Sequence, residues 1–263
     1  MDTNDVTRVA RRAGNHDALT GAARVGFVVN GLLHLLIGWI ALQVAFGGHR
    51  SGNGKADQSG ALSTLADNTL GHVLLWVAVA GFLGLALWQL TETITGAELG
   101  DKIKAGAKTV VYLAVGWTAL TFARGGSSSS GRQSRTFTAR LLDAPMGVVL
   151  VVVIGLAVVA VGAYHVYKGV TTGFLDELTE HPGLTVVRLG QVGYVAKGVA
   201  LAVVGCLFVG AALRHDPHEA SGLDGALRTL REAPAGQALL AVVAVGLMAY
   251  GLFSFARARY ARL

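Results

Sequence analysis

The sequence predicts an all-α integral membrane protein: six transmembrane helices forming three parallel two-helix repeats around a pseudo-threefold axis. Three observations lead there. Hydrophobic residues make up 52% of the chain and charged residues only 14%, against about 25% charged in soluble domains. Six stretches are long and apolar: 25–46, 71–90, 109–123, 146–167, 192–213 and 236–256. Finally, one unit recurs three times, and a fixed internal period sets architecture before any single residue does.

The repeat is traced by Gly60-Ala61-Leu62-Ser63-Thr64-Leu65 against Gly225-Ala226-Leu227-Arg228-Thr229-Leu230. A gapless shift carries Gly71 to Gly236 and Trp88 to Phe253. The middle copy places Gly147 and Tyr164 at the same two positions. The units run over about 22–96, about 104–173 and about 188–259. Residues 1–24 form a polar tail and 25–263 a single six-span domain.

Each element follows from its composition. A spanning helix needs about 20 residues. The stretch 109–123 is short and must borrow Lys104 to Lys108, whose stems reach the headgroups. The stretch 148–161 has no polar face, which excludes a water-soluble bundle. Between the two spans of a unit, leucines three apart (Leu62/Leu65, Leu227/Leu230) suit a short amphipathic helix lying on a surface. In the middle unit Thr138 replaces the first leucine and Leu141 keeps the second. Pro145 and Pro234 just precede the second span, where the first helical turn leaves N–H groups unpaired. Residues 125–131 (GGSSSSG) form a flexible loop.

The tail carries Arg8, Arg11, Arg12 and Arg24 and lacks a small-residue cleavage site, so the first span acts as its own insertion signal. Six spans put both termini on one side. That side holds 13 Lys and Arg against 9 in the loops within units, which places the termini in the cytoplasm. The net charge of +6 is scattered over both faces, which argues against nucleic acid as a partner. Cys206 is the single cysteine, reads as a small packing residue, and has no disulfide partner in the chain.

Glycine numbers 36. Gly31/Gly38, Gly155/Gly162 and Gly198/Gly205 recur seven apart, close to two helical turns, so each pair shares a face. In lipid, small residues let backbones approach.

The Gly-Ala-Leu-x-x-Leu runs, the Gly-Tyr-Val-Ala-Lys-Gly run at 193–198 and the tandem units together resemble the family catalogued as domain of unknown function 1206. The resemblance covers the chain from about Gly21 to about Arg259. It implies a bacterial membrane protein with three two-helix units and brings no catalytic residues. The middle unit departs from the pattern, with Phe137-Thr138 in place of Ala-Leu and Thr109 in place of glycine.

Ionisable groups inside a bilayer are costly, so each is a functional candidate. Aligning Gly38, Gly116 and Gly205 puts Asn30, Lys108 and Lys197 at one position, and His34, Tyr112 and Leu201 one turn on. Asn30, His34, Lys108, Tyr112 and Lys197 form the candidate ligand or proton site at the axis, with His34 and Tyr112 pointing inward and approaching one another or sharing a water. The alternative is a neutral His34 bonded to a neighbouring helix, with both lysines snorkelling. A second aligned set, Glu92, Lys168 and Arg257, forms either a cytoplasmic charged ring or three solvated anchors. Trp88, Tyr164 and Phe253 suit an interfacial aromatic belt. The His215–Glu219 loop lacks the helical presentation of a metal motif. Without a nucleophile–base pair, phosphate loop or paired haem histidines, neither an enzyme nor a cofactor is expected.

Two function classes remain. One is a structural or accessory bundle that binds lipid, a small apolar ligand or a membrane-protein partner. The other is a transporter or channel for a small solute or ion along the axis. A cavity reaching His34 favours the second; an axis closed by glycine packing favours the first.

Overall fold

A computed structural model describes residues 17–46, 55–67, 69–96 and 98–262. Nine α-helices occur among them. The long ones are α1 (Asp17–Phe46), α3 (Thr69–Thr95), α4 (Leu99–Ala123), α6 (Gly147–Val170), α7 (Leu184–Arg214) and α9 (Gly236–Tyr260). The short ones are α2 (Gln58–Ala66), α5 (Ser130–Leu142) and α8 (Gly222–Glu232), one inside each unit. Single 3₁₀ turns at Leu175–Glu177 and Pro217–Glu219 complete the chain. The helix α1 begins at Asp17, so residues 17–24, expected as tail, are helical; the rest of the tail lies outside the described residues.

Five helices are long and apolar enough to cross a membrane: α1, α3, α6, α7 and α9. This makes the chain a multi-pass membrane protein. The helix α4 has the length, but Asp101, Lys102, Lys104 and Lys108 crowd its first turns.

Long helices pack side by side in the order α4, α3, α1, α9, α7, α6. The row bends back but does not close, because α4 and α6 do not pack along each other. Glycines set the closest approaches. A Cβ on Gly198 would sit 2.6 Å from the Gly162 carbonyl, and one on Gly205 2.6 Å from that of Gly155, which locks α7 to α6. Gly31 and Gly251 do the same for α1 and α9, each 2.7–2.8 Å from the other's carbonyl.

The aligned glycines Gly71, Gly147 and Gly236 have a local reason. A side chain there would strike the carbonyl of Leu65, Leu141 or Arg231 at the end of the preceding short helix. The two prolines sit just before the second span, as expected. They lie ahead of the helix, in turns closed by Gly147 N–H to Ala144 O and by Gly236 N–H to Ala233 O. Proline sets φ at the second turn position, and the third, Met146 or Ala235, takes a left-handed φ of 60° or 56°.

The short helices are also more deeply placed than expected. Leu62, Leu227 and Leu230 are buried and join the main core rather than a headgroup surface. Asp57 caps α2 by accepting the Gly60 N–H at 2.9 Å. The α2 and α8 leucines thus stop the loop end of the bundle. Cys206 lies exposed on α7 and does not pack between helices.

Candidate functional site

A buried polar chain crosses α1, α9 and α7. His34 is buried near the middle of α1. Its Nδ1 is 2.8 Å from the Asn30 carbonyl, a contact that an Nδ1–H tautomer makes as donor. Its ring meets the Tyr250 ring at 4.7 Å between centroids. Asn30 Nδ2 donates to Ser254 Oγ at 3.3 Å, and Ser254 Oγ donates to the Tyr250 carbonyl at 2.9 Å. The Lys197 ammonium sits 4.1 Å from the Tyr250 ring centroid, a cation–π contact strengthened by low solvent access. Asn30, His34 and Lys197 therefore gather around α9. Their hub is Tyr250, which the repeat alignment did not single out.

Tyr112 takes a different neighbour. It packs on Phe82, 6.3 Å between centroids, and is neither a ring nor a hydrogen-bond partner of His34. Among the described residues the two make no direct ring or hydrogen-bond contact. The cause is packing: α4 lies against α3, while His34 is turned towards α9.

At the end where the described termini lie, Glu177 in the α6–α7 link draws three cations together. Its Oε1 lies 2.5 Å from Lys168 Nζ and 3.9 Å from Lys108 Nζ; its Oε2 accepts from Arg257 Nη2 at 3.0 Å. Loss of solvent alone would raise the Glu177 pKa. The charges of Arg257, Lys108 and Lys168 outweigh it and hold the carboxyl at about 2. Glu92, Lys168 and Arg257 were expected either as a charged ring or as three solvated anchors; Lys168 and Arg257 are instead buried. Glu92 is exposed and pairs with neither, and Glu177 takes that place. Repeat alignment compares helices with helices, so a carboxylate on a link had no counterpart to reveal it. The available signal was the excess of cations, Lys108, Lys168 and Arg257, over acids at that end.

Beside Glu177, Phe174 is fully buried. It stacks on Tyr194 at 5.2 Å and meets Phe253 edge-on at 4.9 Å. Phe253 is therefore core, not belt, while Tyr164 remains exposed. Gly190 makes room: a Cβ there would lie 2.6 Å from the Phe174 ring. The link continues as a clasp on the C-terminal segment, with Thr179 N–H donating to Tyr260 O and Arg262 N–H to Glu177 O.

Among the described residues no group of three His, Cys, Asp or Glu side chains is placed to hold a metal ion. The His215–Glu219 segment is a capped 3₁₀ turn, with Asp216 accepting the His218 N–H and Arg214 paired to Glu219.

The family model described as Domain of Unknown Function (DUF1206) matches three times in tandem, over residues 25–96, 103–172 and 192–261. The chain is also similar to an uncharacterized protein, YxxB, of Bacillus subtilis (strain 168). The two are 27% identical over 250 residues, covering 90% of this chain and 89% of that one. No solved structure matches. Three matched units, each with one short helix between two long ones, place this chain in the DUF1206 family.

Proposed function

We propose that this chain is an accessory protein of the bacterial cytoplasmic membrane and not a transporter or an enzyme. It is a six-span bundle of three parallel units around a pseudo-threefold axis, with α4 as the sixth span and both termini in the cytoplasm. A lipid, a small apolar ligand or a partner helix docks where α4 and α6 fail to close.

One observation carries this reading: the middle of the bundle is filled and stopped at both ends. Tyr250 and His34 are buried there against each other. Leu62, Leu227 and Leu230 stop the loop end. Phe174 and the Glu177 latch stop the other. A solute path needs polar, water-accessible walls, and rings buried against one another do not supply water access.

The second reading, a proton-coupled transporter, rests on the Asn30–His34–Lys197 polar chain, since buried ionisable groups mark proton paths in membranes. Proteoliposomes loaded with a pH-sensitive dye separate the two. The accessory reading expects proton leak equal to that of empty vesicles, for both the natural chain and His34→Leu. A leak or driven uptake that His34→Leu abolishes overturns it.

A further inference from the structure

The loop side of the molecule carries a cavity of about 520 Å³ walled by Lys55, Ser128, Ser129, Arg132, Gln133 and Arg140, among others. Its walls include no carboxylate. The cations are also unspent. Among the described residues Lys55, Arg132 and Arg140 form no ion pair. The nearest acids, Asp57 and Asp224, line a smaller adjoining cavity that Lys55 and Arg132 also line, and Asp57 Oδ2 is buried without a hydrogen-bond partner. Asp57 Oδ1 accepts from Ser59 Oγ and Gly60 N–H, and Asp224 holds Ala56 N–H and Arg228 Nε.

The walls are held in place before any ligand arrives. Lys55 Nζ donates to Ser129 Oγ at 2.8 Å, which ties the segment before α2 to the start of α5. Gln133 Nε2 donates to Ser128 Oγ at 2.8 Å. Arg132 and Arg140 are eight residues apart on α5, a helix without acidic residues, so both project from one face. The first turn of α5 adds the positive end of its dipole to the same place. Three cations against two carboxylates in the adjoining cavity leave an excess of positive charge, and an anion relieves that repulsion.

We propose that this cavity binds a phosphate group, carried either on an anionic lipid head or on a free phosphate. Guanidinium groups offer paired donors to phosphate oxygens, the ammonium a point charge, and serine hydroxyls further donors. Phe137, in the wall and half exposed, gives the group an apolar neighbour. The inference stands apart from the α4–α6 docking reading and from the question of transport.

The test uses the full chain and the double variant Arg132→Ala/Arg140→Ala. Inorganic phosphate is titrated calorimetrically into detergent-solubilised protein against a chloride background. Retention of phosphatidylglycerol over phosphatidylcholine is measured by native mass spectrometry from mixed nanodiscs. Lys55→Gln serves as a second variant, and Arg231→Ala, outside the cavity, as control. The expected result is binding of at least one probe by the natural chain, weakened tenfold or more in the cavity variants and unchanged in the control. Binding of phosphatidylglycerol without inorganic phosphate assigns the site to a lipid head; binding of inorganic phosphate assigns it to the free ion. No preference for either probe, or binding that all variants retain, overturns the proposal.

Discussion

The outer units and the middle unit meet the same packing problem with different residues. In the first unit α1 and α3 touch through Gly26 and Gly81, where a Cβ on Gly81 would lie 2.9 Å from the Gly26 Cα. In the third, α7 and α9 touch at the aligned positions Gly193 and Gly246; a Cβ on Gly193 would lie 2.6 Å from the Tyr250 Cα. The middle unit has Lys104 and Ala157 there. Lys104 cannot enter a backbone-to-backbone contact, and its Nζ instead lies 5.9 Å from the Tyr164 ring centroid. Ala157 is exposed, whereas Gly81 and Gly246 are buried. The two helices that carry Lys104 and Ala157, α4 and α6, do not pack along each other. Departures from a repeat show where a symmetric plan has been opened.

The largest expected effect comes from imposing the middle unit's solution on an outer one. Gly26→Lys has no room against Gly81 and Leu85, and expression in folded form should be lost. Gly205→Leu, against Gly155, should cost about 3 kcal/mol or more, while Gly116→Leu, which meets only Phe82 Cβ at 3.3 Å, should cost about 1 kcal/mol. Thermal unfolding in detergent ranks the three; equal melting temperatures for Gly205→Leu and Gly116→Leu would remove the contrast between tight and loose interfaces.

The second prediction sharpens the role of the latch that joins the middle unit to the third. Glu177→Gln should destabilise by roughly 3 kcal/mol, because it leaves Arg257 and Lys168 without their counter-charge. The carboxyl's pKa is about 2 folded against 4.5 ordinarily. A depressed pKa means that its stabilisation is complete above about 4.5 and lost as pH falls towards 2. Melting temperature measured from pH 6 to pH 2.5 should fall in the natural chain and fall less in Glu177→Gln. Parallel curves would detach Glu177 from acid sensitivity.

The smallest effect concerns the turns before the second spans. Ala235 holds φ of 56°, which costs an L-residue about 1 kcal/mol or more. Ala235→Gly should therefore stabilise by about 0.5 kcal/mol after the added chain entropy is counted. A drop in melting temperature would show that the Ala235 methyl packs usefully.

Much of this fold is legible in the sequence because each unit repeats the same contacts. Gly71, Gly147 and Gly236 align, and all three meet the same obstacle, the carbonyl at the end of a short helix. Gly198 and Gly205 face Gly162 and Gly155 as their spacing implies. The candidate site is only half legible. Asn30 and His34 share a face of α1, Lys197 holds the matching position on α7, and the three do converge, but on Tyr250, a residue of another helix that no periodicity names. Glu177 escaped because an acid among others in a polar link reads as solvated, and only tertiary packing reveals the three cations around it.

The Glu177–Arg257 pair spans 80 residues of chain, and that separation has a consequence in time. A ribosome releases Glu177 well before Arg257, so during synthesis the middle unit waits with its carboxylate facing only Lys108 and Lys168. The clasp of Thr179 on Tyr260 and of Glu177 on Arg262 closes later still. These contacts therefore wait until α9 has been made, so this link closes after the helices of the third unit are in place.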